Sequence, residues 1–186
     1  MKAKAKSRRR KALARPKDKE KTPSEISEEK CIIAVRLRGQ ANVPNDVKTT
    51  LHMLHMPRKF NAVLVYGKPD TLGMLRKIKD YVTWGETERK TLSMLLEKRC
   101  KPRGAKELTA KYLKEKLQIP SIEKLAEAIE RKEIPLSKLH EAGISLAFRL
   151  HPPRGGFKRS TKRSFGDEGE LGYRGNEISP LLSRMI

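Results

Sequence analysis

Residues 31–85, "CIIAVRLRGQANVPNDVKTTLHMLHMPRKFNAVLVYGKPDTLGMLRKIKDYVTWG", decide the fold. The apolar period changes several times along this stretch. In "CIIAVRLRG", Ile33, Val35 and Leu37 alternate with Ala34, Arg36 and Arg38, which predicts a half-buried strand with a basic outer face. Pro44 then suits the first residue of a helix, whose inner positions are Val47, Leu51 and Leu54. Pro57 closes that region. "FNAVLVYG" is a continuous apolar run and predicts a well-buried strand ending at Gly67. Pro69 opens a second helix with Leu72, Leu75 and Ile78 inward and Met74 beside them. "YVTWG" is a short third strand. The order is therefore β-α-β-α-β, a small sheet with two helices on one face. A doubly wound nucleotide-binding sheet would need a Gly-rich turn after the first strand. "RGQANVPND" has a single glycine.

The rest of the chain is built around this unit. Glu86–Arg99 groups Leu92, Leu95 and Leu96. Lys106–Leu117 aligns Leu108, Tyr112, Leu113 and Leu117. Ser121 caps a helix with Ile122, Leu125, Ala126 and Ile129 inward. A short turn over Leu136–Ala142 ends at Gly143 in a left-handed cap. "ISLAFRL" alternates again and predicts a fourth strand, with Leu146, Phe148 and Leu150 inward and Arg149 outward. The expected division is a basic, disordered N-terminal extension over 1–30, an α+β domain over 31–150 with a helical insertion at 101–145, and a basic Gly-rich C-terminal extension over 151–186.

Charge narrows the function. The 186 residues carry 43 Lys+Arg against 22 Asp+Glu, for a net charge of +21. Hydrophobic residues make up 37%, below the usual ~45–50%. A polyanionic partner relieves such self-repulsion, because each neutralised phosphate releases a condensed counterion. Residues 1–30 hold 12 of the basic residues, Arg8, Arg9, Arg10 and Lys11 among them, and almost no large apolar side chain. A segment of that composition cannot offset its own ordering entropy. It has no apolar core for a secretory signal and no amphipathic face for a transit peptide. No run approaches the ~18 apolar residues of a membrane span. Cys31 and Cys100 sit beside apolar runs and read as buried free thiols of a reducing, cytoplasmic protein.

Catalytic and metal patterns are weak. His52 and His55 are three apart, but there is no HExxH and no evident third ligand. No Ser-His-Asp or Cys-His order can be defended. The expectation is no enzyme, no cofactor, no metal and no small-molecule substrate. The segment "HPPRGGFKRSTKRSFGDEGELGYRG" (151–175) is more informative. From Arg149 to Arg163 there are six basic residues and no acid. Pro152 and Pro153 set an extended course. Arg154 offers a planar fork of donors to a phosphate. Gly155 and Gly156 let backbone amides approach a partner closely, and Phe157 could stack on an unpaired base. Lys158, Arg159, Lys162 and Arg163 would track a phosphate backbone. With Arg36, Arg38, Arg149, His151 and the N-terminal cluster, these are the candidate RNA-binding residues. A flexible basic loop without defined docking explains the same residues equally well.

Five stretches carry a family resemblance: "IIAVRLRG", "NDVKTTLHMLHM", "DTLGMLRKIKDYVTWGE", "LAFRLHPPRGG" and "GELGYRGNEISPLLSRMI". In this order, over roughly residues 31–186, the chain resembles the archaeal-type L-thirty family of large-subunit ribosomal proteins, whose eukaryotic counterpart is the long L-seven form. The resemblance implies a ferredoxin-like α+β fold with a small antiparallel sheet. It also implies a structural role on large-subunit ribosomal RNA beside neighbouring ribosomal proteins, with the five-S RNA as a further candidate partner and tails threaded through RNA. The region around 101–145 is absent from the short bacterial form. A free RNA-binding regulator or RNA chaperone is the alternative. The aromatic motif of an RNA-recognition sheet is missing from both "IIAVRLRG" and "AVLVYGK".

Overall fold

The computed structural model describes residues 30–103 and 108–186. The β-α-β-α-β unit is present as expected: β1 Cys31–Arg36, α1 Asn45–Met53, β2 Asn61–Tyr66, α2 Pro69–Lys77 and β3 Val82–Glu86. Pro44 is the N-cap of α1 and Pro69 the first residue of α2, where a missing N–H costs nothing. Helices α3 Arg89–Arg99, α4 Ala110–Leu117, α5 Ile122–Glu130 and α6 Leu136–Glu141 follow. Helix α3 begins later than expected because Glu86 still belongs to β3. The Ser121 hydroxyl accepts from the Lys124 amide at the start of α5, and Gly143 has φ +78°.

Strand β4, Ala147–Arg149, delivers the chain to a segment that is more ordered than a tail. β5 Ser160–Ser164, β6 Gly169–Tyr173 and α7 Ile178–Met185 all belong to the fold. Leu171, Ile178, Leu181, Leu182 and Met185 are buried in the core. The reading of 151–186 as an extension ordered by RNA is corrected accordingly. The expected disorder of residues 1–30 lies almost entirely outside the described residues.

The sheet has six strands in the order β4-β2-β1-β3-β6-β5. β1 pairs antiparallel with β2 and β3, and β2 with β4. β6 runs parallel to β3 and β5 parallel to β6, so the α+β sheet is mixed and not purely antiparallel. Helices cover both faces. Ile32, Ala34, Val63, Val82 and Trp84 pack on α1 and α2 through Leu51, Leu54, Leu72, Leu75 and Ile78. Ile33, Val35, Leu37, Ala62 and Leu64 pack on the later helices through Leu92, Leu95, Leu96, Leu125, Ile129 and Leu182. Every residue of β1 is therefore buried. The alternation from Ile33 was real, but it separated two buried faces and not a core face from a wet one.

Arg36 shows the consequence. It is only 3% exposed. Its guanidinium donates to the carbonyls of Arg38 (3.0 Å), Met56 (3.0 Å), Pro57 (2.8 Å) and Gly39 (2.7 Å). Burial pulls its pKa below the ordinary arginine value. Its place among the RNA-binding candidates is thus corrected: its donors tie together two loops of the protein. Cys31 and Cys100 are buried free thiols, each pushed up to about 12, chiefly by burial.

Candidate nucleic-acid interface

The basic segment starts where β4 ends. Phe148 and Leu150 anchor the strand in the core, and the Leu150 amide donates to the Phe60 carbonyl (3.0 Å). Arg149 between them is exposed. It pairs in register with Asn61, and the Phe60 amide donates to the Arg36 carbonyl (2.8 Å). One end of the sheet therefore gathers Arg38, Arg58, Lys59 and Arg149, all exposed. Arg38 is held there by a bond to the Asp80 carbonyl (3.2 Å), with its guanidinium 5.0 Å from the centre of the Tyr81 ring.

From that end the chain crosses the sheet. β4 is one edge strand and β5 the other. Six strands at the usual spacing of roughly 4.8 Å span about 24 Å, within the extended reach of the residues between Arg149 and Ser160. The segment is a strap, held at several points. The His151 amide donates to the Met185 carbonyl (3.0 Å) and the Arg154 amide to the Arg184 carbonyl (2.9 Å). These bonds satisfy two carbonyls in the last turn of α7 that the helix leaves unpaired. Pro153 is buried, and its carbonyl accepts from the Gly156 amide (2.9 Å), closing a turn. Gly155 and Gly156 have φ +75° and +72°, a region costly for other residues. A side chain on Gly156 would meet open space, so backbone conformation explains that glycine within the protein itself.

Phe157 is half-buried and stacks on Phe60, with ring centres 6.4 Å apart and planes 23° from parallel. The Lys59 ammonium lies 4.7 Å from the Phe60 ring centre. One face of Phe157 is thus engaged inside the protein, a correction to its expected role as a free stacking surface. The Arg159 amide donates to Glu170 Oε1 (3.1 Å), and its guanidinium sits 5.1 Å from the centre of the Phe165 ring. Glu170 in turn forms a buried ion pair with Arg174, whose guanidinium covers Phe165 at 4.8 Å.

The strap's cations face water. His151, Arg154, Lys158, Arg159, Lys162 and Arg163 are exposed. The ion pairs of the described residues lie elsewhere: Lys30–Glu86, Arg89–Glu127, Arg131 with Glu127 and Glu133, and Arg174–Glu170. Lys162 and Arg163 lie on edge strand β5, where charge also deters pairing with a second sheet. Arg8, Arg9, Arg10 and Lys11 lie outside the described residues. Sequence reasoning missed Arg58 and Lys59, which join the site only through the pairing of β2 with β4. It also missed Arg184, which α7 brings to the strap from the far end of the sequence.

The family profile described as Ribosomal protein L30p/L7e matches residues 32–82, the span from β1 to the start of β3. The chain is similar to the large ribosomal subunit protein uL30 of Korarchaeum cryptofilum, with 47% identity over 155 residues, 83% of this chain and 94% of the relative. The protein of the same name from Staphylothermus marinus is 48% identical over 157 residues, covering 82% and 96%. That of Hyperthermus butylicus is 43% identical over 184 residues, covering 94% and 100%.

Proposed function

Because the chain belongs to the ribosomal protein L30p/L7e family, we propose that it is a structural constituent of the large ribosomal subunit in the cytoplasm. It binds ribosomal RNA through phosphate contacts and stands beside neighbouring ribosomal proteins. The observation that supports this reading most is the strap: a run of cations without an acid from Arg149 to Arg163, on a loop fixed at both ends to the core. Pre-ordered cations lose less side-chain and loop entropy on meeting a phosphate lattice than a free tail would. Arg149, His151, Arg154, Lys158, Arg159, Lys162 and Arg163 supply the contacts. Arg38, Arg58 and Lys59 extend the surface at the β4 end, and Arg8, Arg9, Arg10 and Lys11 add charge from the N-terminal segment. Gly155 and Phe157 offer backbone amides that have no acceptor among the described residues, while the exposed Gly156 keeps the surface free of a side chain. The role is positional and requires no catalytic step.

Sedimentation of cell lysate through a sucrose gradient at moderate salt tests this. Co-migration with the large subunit is expected. A slow pool free of ribosomes would support the RNA-binding regulator or chaperone instead.

A further inference from the structure

Arg184 sits in the last turn of α7 and bonds to the strap in both directions. Its Nε and Nη2 donate to the Arg154 carbonyl at 3.0 and 2.7 Å, and Nη2 also donates to the Gly156 carbonyl. Its own carbonyl accepts from the Arg154 amide. Among the described residues no carboxylate pairs with it. A trans peptide points its N–H opposite to its C=O, and no peptide in the described residues is cis. Two carbonyls drawn onto one guanidinium therefore turn the next two amides, Gly155 and Phe157, away from Arg184. Neither amide has an acceptor among the described residues, whereas the Gly156 amide between them is committed to Pro153. Gly155, Gly156 and the side chain of Arg154 are exposed beside them.

From this geometry we infer that Arg184 is a positioning residue for the RNA contact: it holds the 154–157 backbone so that the Gly155 and Phe157 amides stay turned outward, beside the exposed Arg154, for the oxygens of an RNA phosphate. This rests on the reading of the strap as an RNA contact and names the donor set within it. Two amides and one guanidinium suit a tetrahedral anion whose oxygens accept from several directions. Arg184 acts through the backbone and leaves the anion to the other groups.

The test measures binding of the full chain to an in vitro transcript of archaeal large-subunit ribosomal RNA across a salt series, with melting temperature as a check on folding. Arg184→Met should weaken binding about tenfold with the salt slope unchanged, because the neutral amide contacts loosen while Arg154 keeps its charge on the phosphate. Arg184→Lys should recover little, since an ammonium lacks the planar fork that holds two carbonyls at once. Binding equal to wild type would overturn the inference. So would a slope lower by about 0.7–0.9, the signature of one lost phosphate contact, since Arg184 would then touch RNA directly. If the Met variant fails to fold, amide resonances of the unmodified protein decide. On addition of a short RNA, Gly155 and Phe157 should shift more than Gly156, and equal or absent shifts would overturn it. A wild-type chain that fails to bind the transcript would overturn the strap reading itself, and this inference with it.

Discussion

Residues 31–86 and residues 147–186 contribute strands to the same sheet but are held in it differently. The first region is secured by apolar periodicity. Its strands place alternate residues on two cores, and its helices meet one of them with leucines and isoleucines at helical spacing. The second region has short strands, a parallel pairing with a register shift, and turns set by glycines. Polar groups secure much of it: the buried Glu170–Arg174 pair, the Arg184 bonds to the strap, and the Thr83 hydroxyl on the Gly172 carbonyl (3.1 Å). One region is specified by pattern and the other by individual contacts. The second is also the region that carries the exposed cations of the strap, to which the first adds Arg38, Arg58 and Lys59.

That contrast yields measurable differences. Glu170→Ala should be the most damaging single change in the C-terminal region, because it strands the buried Arg174 charge and removes the acceptor of the Arg159 amide. Breaking such a pair costs roughly 3–5 kcal/mol. Glu170→Ala together with Arg174→Met should recover much of that loss. Leu75→Ala in α2 should cost about 2–5 kcal/mol with no comparable rescue by a second site, since its loss is a cavity. Urea denaturation of the three variants checks both statements. Rescue absent in the first case would mean that shape, not charge, dominates there too.

A smaller effect separates two cations of the strap. Arg154 stands on a turn fixed by five hydrogen bonds among its backbone neighbours and Arg184, while Lys162 lies on the open edge of β5. Arg154→Ala should weaken binding to large-subunit RNA by roughly 1.5–3 kcal/mol, and Lys162→Ala by about 0–1 kcal/mol. Equal losses in a filter-binding titration would reduce the strap to a diffuse basic loop.

The smallest effect concerns the thiols. Cys31 and Cys100 have folded-state pKa values raised to about 12 from 9.0, so their contribution to stability is complete below pH 9 and fades as pH rises toward 12. At pH 8 the native chain should resist iodoacetamide, and both thiols should react in denaturant. Fast alkylation of the native protein at that pH would show that the β1 core opens readily.

The same contrast explains what was readable beforehand. The β-α-β-α-β order, the two prolines at helix starts and the Ser121 cap follow from local spacing, and all are found. The second buried face of β1 did not follow, because burial of Arg36 depends on the Met56 and Pro57 carbonyls, from a loop distant in sequence, joining those of its near neighbours Arg38 and Gly39. The C-terminal region misled for a related reason. "GELGYRG" has few apolar residues, yet Gly85 lies so close to the Gly175 carbonyl that a Cβ there would stand 2.0 Å from its oxygen. Close approach of two glycine backbones leaves no periodic trace. In the candidate site, the cations from Arg149 to Arg163 were legible as a charge run, whereas Lys59, Arg58 and Arg184 were not, since only strand pairing and α7 bring them there.

Amide hydrogen exchange on the RNA-free protein tests most directly whether the strap is displayed by a folded region and not ordered by its partner. Leu171 in β6 and Leu182 in α7 are buried in the same core as Ile33 in β1. All three amides should be protected to a similar degree, by the free energy of global unfolding. Exchange of Leu171 and Leu182 at the rate of an unstructured chain, with Ile33 still protected, would contradict it and return residues 151–186 to the status of a tail that RNA must fold.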